Sequence, residues 1–284
     1  MKGLIITADD YGMCDSVNRA IDACIDAKVV CSTNVMANME VAEEASSLKK
    51  RFPRLSLGLH YNFTVGTPLS PVDHVRSLVN GEGEFLSFPE IRERCRKKIY
   101  VFGELREEMI AQYRRFKELC GEPDYWNTHE NVHVYPGLYQ LFRDVSLDLG
   151  IKKMRTHKRI YIPASNGRSD KSLAWTITNP VKQVMLKTWQ YESAKKGVAA
   201  PDGLLVRMNE DDKLNLPYLF SHIQWKNANT AEIAIHPALD GNCKWFGEIT
   251  EQRVLEYKCF SDPAVLRVAA QAGISIVGFE TVHC

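Results

Sequence analysis

The sequence has few of the features that mark secreted, membrane-bound or nucleic-acid-binding proteins. Its eight cysteines include no C-x-x-C pair, so neither a disulfide framework nor a cysteine-based zinc site is expected. No apolar run is long enough to cross a bilayer, and acidic residues interrupt the N-terminal segment MKGLIITADD where a secretory signal would continue. The formal net charge is +1, which gives no overall field to attract nucleic acid or an anionic membrane. We therefore expect a soluble, cytoplasmic protein with reduced thiols and with neither a membrane nor a nucleic-acid partner.

Two catalytic motifs are missing as well. The segment GEGEF (81–85) lacks the G-x-G-x-x-G spacing and the preceding strand of a dinucleotide site. No G-x-S-x-G nucleophile motif occurs in the chain. A metal-free hydrolase with a serine or cysteine nucleophile therefore has little support, and Cys14 is the only cysteine close in sequence to the acidic pair Asp9 and Asp10.

Strand and helix patterns alternate almost from end to end. The chain has 284 residues, of which 45% are hydrophobic and 25% charged, an ordinary globular balance with enough apolar material for a large core. Seven or eight β-α units predict a parallel sheet, and their number favours a closed or nearly closed barrel over an open doubly wound sheet. We expect one α/β domain over residues 1–284, a TIM-like (β/α) barrel with long loop insertions near 64–102 and 156–171.

Acidic and histidine side chains recur where the predicted strands end. Asp9 and Asp10 end the first strand, His60 ends LSLGLH, His129 ends YWNTH and His236 ends EIAIHP. The carboxyl ends of parallel strands meet on one face of a barrel or sheet, and sites are built there. These residues, distant in sequence, are therefore expected to converge on one rim.

A carboxylate and two imidazoles form a common ligand set for a divalent ion, with positions left for water and substrate. The positive charge of such an ion would make the adjacent Asp9 and Asp10 tolerable. One carboxylate can ligate the ion while the other accepts a proton from bound water. Taken alone, the aspartates could instead cap a turn, and His60 could be a hydrogen-bonded core histidine. The joint placement of these residues at strand ends favours the metal site.

The segment HENVH (129–133) superficially resembles a zincin motif. It lacks the glutamate at the H-E-x-x-H spacing and it precedes VYPG, so a loop rather than a helix is expected there. The remaining histidines have no comparable context and are expected to be structural or on the surface: His74, His157, His222 and His283.

Four segments resemble the YdjC-like (ChbG-type) carbohydrate deacetylases, in the same order and with similar spacing over nearly the whole chain. They are ITADDYGMCDSVNRAIDACIDAKVVCSTNVMANM, LGLHYNFTVGTPLS, HENVHVYPG and IAIHPALD. The resemblance implies a distorted (β/α) barrel, one divalent metal ion (Mg or Zn) and hydrolysis of an N-acetyl group from an amino sugar. Carried onto this chain, it implies Asp10, His60 and His129 as metal ligands, Asp9 as the base and His236 as the acid.

The chain departs from the family pattern at three positions. The third motif usually reads D-x-H-x-H-x-H, but here Asn127 replaces the aspartate and Asn131 replaces the middle histidine. Ala238 stands where a glycine usually follows the late His-Pro pair. The implied ligands are retained, so we expect the chemistry to be retained and the substrate pocket to differ.

Several side chains near the implied ligands are candidates for substrate binding. Tyr61, Trp126 and Tyr135 offer aromatic faces for a sugar ring, although they could equally belong to the core. His133 is a second candidate for the acid or for holding the substrate. Arg155, at a strand end, is a candidate for a sugar hydroxyl or an anionic group, and the basic run THKRIYIPASNGR for a phosphorylated or nucleotide-linked sugar.

The sequence is also compatible with two other kinds of function. The same barrel supports metal-dependent isomerases and aldolases, because a fold does not fix its chemistry. The two asparagine replacements suggest a non-catalytic carbohydrate-binding descendant, which would release no acetate. The resemblance also implies a homodimer as an alternative to a monomer, since family members commonly dimerise.

Overall fold

The computed structural model describes residues 1–168, 180–207 and 214–283, without the side chains of Arg207 and Glu248. Within these ranges the chain alternates eight strands with nine α-helices. The strands are β1 (Lys2–Tyr11), β2 (Ser32–Val35), β3 (Ser56–Tyr61), β4 (Tyr125–Thr128), β5 (Arg159–Ile162), β6 (Gly203–Arg207), β7 (Thr230–Ile235) and β8 (Ile274–Ile276). The helices are α1 (Asp15–Asp26), α2 (Leu48–Arg51), α3 (Phe88–Lys97), α4 (Phe102–Cys120), α5 (Leu138–Asp148), α6 (Pro180–Lys195), α7 (Leu216–Ser221), α8 (Thr250–Phe260) and α9 (Ala264–Gln271).

The strands form one parallel sheet in the order β4-β3-β2-β1-β7-β6-β5, and β8 pairs with the start of β1. Parallel bridges extend the curled sheet beyond β4, from Trp126 to Met154 and from Lys153 to Ala199. Parallel pairing requires crossover connections, and helices supply them on the outside of the sheet. The prediction of a parallel, barrel-type α/β fold is confirmed.

The core lies between the sheet and its helices. β1 is buried from Leu4 onward, which explains its nearly continuous apolar run. In α1, Val17, Ile21 and Cys24 share the buried face at helical spacing. At the lower end of the sheet, the ring of Tyr125 stacks on Phe279 with ring centres 3.7 Å apart. Burial of these surfaces is the main driving force for the fold.

The ring of Tyr125 packs so close to the backbone of β3 that position 58 must be glycine. A side chain there would lie 2.4 Å from the ring of Tyr125, so only glycine leaves room for that aromatic residue. The Tyr125 hydroxyl in turn accepts a hydrogen bond from Ser32 Oγ at 2.8 Å. The neighbouring strands β2, β3 and β4 are thus fixed to one another beneath their carboxyl ends.

Some predicted elements differ from the observed ones. The segment IKKMR forms only isolated bridges at Lys153 and Met154, and the regular strand β5 follows inside the segment expected to be a loop. The long stretch 64–102 carries α3 and two short 3₁₀ helices, Val72–His74 and Arg76–Leu78. The start of the helix predicted over 173–195 lies outside the described residues. Among the described helices, none combines the length and apolar character needed to cross a membrane.

Candidate metal and catalytic site

The end of β1 turns two adjacent aspartates toward the same space. Successive strand residues normally point to opposite faces. Here the pairing with β2 shifts register between Ala8 and Tyr11, and Asp10 adopts a φ of 77°, which is uncommon for a residue other than glycine. Asn34 of β2 contacts both acids, accepting from the Asp10 backbone N–H at 3.3 Å and donating to Asp9 Oδ1 at 2.6 Å.

Asp10 lies at the centre of a buried cluster. Its Oδ1 is 3.1 Å from His60 Nε2 and 2.9 Å from His129 Nδ1. Its Oδ2 accepts a hydrogen bond from Arg253 Nη2 at 2.7 Å. Burial alone would raise the pKa of Asp10, but the positive charges of His129 and Arg253 outweigh it and hold this pKa well below the ordinary value. Asp10 is therefore an ionised carboxylate.

The cluster fits a divalent metal ion. The ligand atoms of Asp10, His60 and His129 all lie within 4.8 Å of one another, and the three side chains are buried. One carboxylate with two imidazoles is a ligand set that leaves positions for water and substrate. The loop after His129 is also unusual, because Glu130 and Asn131 both adopt positive φ values, 52° and 55°. Conformations of this kind cluster at functional sites.

Asp9 forms a second charged centre beside the first. Its two carboxylate oxygens accept hydrogen bonds from Arg155 at 2.6 and 2.7 Å, and Arg155 also donates to Glu232 at 2.9 Å. Burial by itself would raise the pKa of Asp9, but the Arg155 guanidinium more than offsets burial and lowers this pKa to about 2. Asp9 is thus ionised across the physiological pH range.

His236 follows β7 and faces the same centre. Its side chain is 30% exposed, and its Nε2 lies 3.7 Å from Asp9 Oδ2. Glu256 of α8 accepts a hydrogen bond from the His236 backbone N–H at 2.6 Å and lies 3.9 Å from Nδ1. Burial lowers the pKa of His236, although Asp10 and Asp9 oppose this effect. An imidazole with partial access to solvent therefore stands next to an ionised carboxylate.

His133 is placed in the core. Its Nδ1 is 2.7 Å from Thr128 Oγ1, and its Nε2 is 2.9 Å from His157 Nε2. Burial lowers the pKa of His133 to about 3 and that of His157 well below its ordinary value. Both imidazoles are neutral, and His133 has no exposed surface with which to hold a substrate.

Two further predicted substrate contacts are also enclosed in the core. Tyr61 and Trp126 have no exposed surface, and both pack against Phe142 in an aromatic cluster. Their packing corresponds to the core alternative that the sequence left open. By contrast, Tyr135 lines a cleft of about 510 Å³ together with Glu130, the residue that follows His129 in the chain.

Arg155, which the sequence suggested as a contact for a sugar hydroxyl or an anionic group, does not reach toward solvent. It is only 4% exposed, and its guanidinium is engaged by Asp9 and Glu232. A buried guanidinium needs such partners, because an unpaired buried charge is costly. Its role in this structure is to hold the Asp9 carboxylate.

Sequence reasoning missed four side chains that contact the two aspartates or their partners in the site. A polar residue in a buried strand was the available signal for two of them, and a pair of charged residues three apart on one helix was the signal for the others. They are Asn34 in β2, Glu232 in β7, and Arg253 and Glu256 in α8.

Similarity to known proteins extends over nearly the whole chain. A family model described as YdjC-like protein matches residues 3–271. A mouse (Mus musculus) carbohydrate deacetylase is 34% identical over 174 residues, which are 61% of this chain and about half, 53%, of that relative. A chitooligosaccharide deacetylase from Proteus mirabilis is 26% identical over 279 residues, covering 98% of this chain and 97% of the relative. The fold is also that of a proposed cellobiose-phosphate cleavage protein from Enterococcus faecalis, whose crystal structure superposes with a TM-score of 0.77 at 22% identity, over 99% of this chain and 98% of that one.

Proposed function

We propose that this chain, which belongs to the YdjC-like protein family, is a metal-dependent hydrolase that removes the N-acetyl group from an amino sugar or an N-acetylated oligosaccharide. The observation that carries the proposal is the buried set of Asp10, His60 and His129 next to the ionised carboxylate of Asp9. The deacetylase names of the mouse and Proteus mirabilis relatives support the same reaction class. The products are acetate and a free amino sugar.

The donor set favours a zinc ion over magnesium. Two of its three members are imidazoles, which suit Zn²⁺, whereas Mg²⁺ prefers carboxylate, carbonyl and water oxygens. Asp10, His60 and His129 would hold the ion, and Arg253 would keep the second oxygen of Asp10 in place. When bound, such an ion polarises an amide carbonyl and makes water more acidic.

Asp9 and His236 supply the two proton transfers that amide hydrolysis needs. Asp9 is ionised, so it can accept a proton from the water that attacks the acetyl carbon. His236 Nε2 lies 3.7 Å from Asp9 Oδ2, and the partial exposure of this imidazole lets it meet the departing sugar nitrogen. An amine is a poor leaving group, and a proton from an imidazolium allows the C–N bond to break.

The cleft beyond His129 is our candidate for the sugar-binding region. It has a volume of about 510 Å³, within the usual range for small-molecule sites, and Tyr135 lines it. The ring of Tyr135 offers an apolar face that suits one side of a pyranose. Of the aromatic residues considered from sequence, Tyr135 is the one we retain as a substrate contact.

A screen for acetate release tests the proposed function. Purified protein is stripped with a chelator, reloaded with Zn²⁺ or Mg²⁺, and incubated with N-acetylated monosaccharides, chitooligosaccharides and nucleotide-linked sugars. We expect acetate from at least one amino-sugar class, restored by metal and absent from Asp10→Asn. Binding of the same sugars without acetate release at any metal loading would instead identify a non-catalytic carbohydrate-binding protein.

A further inference from the structure

Asn127 of β4 connects the two charged centres of the site. Its side chain is buried, with 1% exposure, and contacts His60 on one side and Arg155 on the other. Through His60 it reaches the proposed metal site, and through Arg155 it reaches Asp9. The orientation of this single amide therefore affects both the ligand and the base.

The neighbours of Asn127 are satisfied by only one amide orientation. On one side stand three donor nitrogens, two from Arg155 at 3.0 and 3.1 Å and one from Asn34 at 2.9 Å. The amide oxygen must face these donors, because the opposite orientation would place the amide NH₂ against them. The NH₂ group is then directed at His60 Nδ1, 2.6 Å away.

This orientation decides which nitrogen of His60 carries its proton. An NH₂ group donates, so His60 Nδ1 must accept and cannot itself be protonated. In the neutral imidazole the proton is then on Nε2, which donates to Asp10 Oδ1 at 3.1 Å. Nε2 is also the nitrogen that faces Asp10, and because it is protonated it has no lone pair to offer a metal ion there.

We propose that Asn127 is a positioning residue that holds His60 with its proton on Nε2 and thereby weakens metal binding at the Asp10, His60 and His129 site. This inference rests on the metal site of the proposed function. Binding through Nε2 requires His60 to move its proton to Nδ1, and Asn127 must then rotate its amide against the donors of Arg155 and Asn34. The reorientation lowers the apparent affinity for the ion.

A carboxylate at this position would remove the conflict. Both oxygens of an aspartate accept hydrogen bonds, so Asn127→Asp can accept from Arg155 and Asn34 while also accepting from His60 Nδ1–H. Nε2 would then present its lone pair toward Asp10 and His129. Partners of this kind that orient a ligating histidine typically change metal affinity about 10–100-fold.

The tautomer of the His60 imidazole is measured first, in metal-free protein. Nitrogen-15 NMR of the histidine side chains at about pH 8, where ordinary imidazoles are neutral, reports which His60 nitrogen is protonated. We expect Nε2–H in the natural chain and Nδ1–H in Asn127→Asp. Finding His60 protonated on Nδ1 in the natural chain would overturn the proposal, whatever the measured affinities for Zn²⁺.

Metal affinity is measured next, by competition of Zn²⁺ against a chelator. Asn127→Asp is expected to bind Zn²⁺ about 10–100-fold more tightly than the natural chain. The matched control is Asn131→Asp, which adds the same charge on an exposed side chain two residues after His129, in a left-handed conformation that aspartate tolerates. An equal gain from Asn131→Asp would show a general charge effect and overturn the proposal.

Failure of the proposed function gives a different result. If neither the natural chain nor Asn127→Asp binds Zn²⁺, the metal site is wrong, and the claim that Asn127 controls metal affinity is overturned with it. If the natural chain binds Zn²⁺ and Asn127→Asp gains less than about threefold, well below the expected range, only the role of Asn127 is wrong.

Discussion

Arg155 holds Asp9 through a bidentate ion pair, with Nη1–Oδ2 and Nη2–Oδ1 distances of 2.6 and 2.7 Å. A bidentate ion pair of this kind fixes the orientation of the carboxylate plane as well as stabilising its negative charge. Arg155 also pairs with Glu232, so one cation compensates two buried acids. The proposed base is therefore ionised and oriented by a residue that is itself buried.

Replacing Arg155 should change both acidity and stability. In Arg155→Met the pKa of Asp9 is expected to rise from about 2, because burial is then unopposed by the guanidinium. The acid limb of kcat/KM should move to higher pH, since Asp9 must be ionised to accept a proton. Leaving two buried acids unpaired should cost about 3–5 kcal/mol in free energy of unfolding.

Because the pKa of Asp9 is lowered in the folded chain, the free energy of unfolding that Arg155→Met loses should also depend on pH. The lowered pKa of Asp9 stabilises the folded chain at pH values above the pKa of an aspartate in the unfolded chain, about 3.9. This stabilisation is lost as the pH falls through the pKa of Asp9 in the folded chain, about 2.

Arg143→Met is the matched control, because Arg143 is a buried arginine paired with Asp144 and Glu192 instead. An Arg155→Met enzyme with an unmoved acid limb would contradict the assignment of Asp9.

The two adjacent aspartates should differ in what their loss removes. Asp10→Asn is expected to lose metal, because a neutral amide is a far weaker ligand than a carboxylate, and asparagine tolerates the φ of 77° at this position. Asp9→Asn should keep metal and lose turnover, because only proton transfer is removed. Metal content and acetate release are measured on both variants. Equal metal loss in the two would abolish the distinction between ligand and base.

The convergence of Asp9, Asp10, His60 and His129 could be predicted because it depends on a simple rule. Each of these residues ends a strand, and parallel strands present their carboxyl ends on one face. The alternating pattern of strands and helices was equally readable, since buried parallel strands are continuous apolar runs. No detail of side-chain packing was needed for either inference.

The electrostatic partners could not be predicted for a physical reason. Arg155 pairs with Asp9 across 146 residues and with Glu232 across 77, and Arg253 meets Asp10 across 243. Such pairs depend on how helices and strands pack, which local sequence does not record. Arg155 at a strand end therefore looked available for a ligand, and Trp126 looked equally suited to a pocket or to the core.

The two ligand histidines should each be needed for metal. His60→Ala and His129→Ala are expected to lose metal and activity together and to keep the fold, because each removes one of three donors. His74→Ala is the control, since that exposed histidine contacts Glu107 instead of the site. Elemental analysis after dialysis measures the outcome. A variant that retains a stoichiometric ion shows that the replaced histidine is not a ligand.

The His133–His157 pair should make the fold sensitive to mild acid. The folded chain keeps both imidazoles neutral, with the pKa of His133 lowered to about 3, while the unfolded chain takes up protons below about pH 6.5. Stability is thus full above that pH and falls as pH decreases toward the folded values, by up to about 1.4 kcal/mol per pH unit for each group. Urea unfolding between about pH 7 and pH 5 measures this slope.

A single replacement tests the origin of that slope. His157→Gln removes one titrating group and is expected to reduce the pH dependence of the unfolding free energy, whatever its effect on stability at neutral pH. The exposed His222→Gln is the control and should leave the slope unchanged. Equal slopes in the natural chain and in His157→Gln would mean that His157 is not held neutral by the fold.

The role of His236 separates an acid catalyst from a structural residue. If His236 protonates the leaving nitrogen, it must be cationic before that step, so activity should fall as pH rises through its pKa. Burial lowers this pKa, which places the alkaline limb at a lower pH than for an ordinary imidazole. His236→Ala should flatten the alkaline limb and reduce kcat roughly 10²–10⁴-fold.

Glu256→Gln provides the companion measurement for His236. Its side chain still accepts the hydrogen bond from the His236 backbone, but it no longer places a negative charge 3.9 Å from Nδ1. The pKa of His236 should then fall further, and the alkaline limb should move to lower pH without disappearing. If His236 only packs beside the site, Glu256→Gln would leave the pH profile unchanged. A well-folded His236→Ala enzyme would then keep a near-normal kcat, and the acid would have to be sought among other groups lining the cleft.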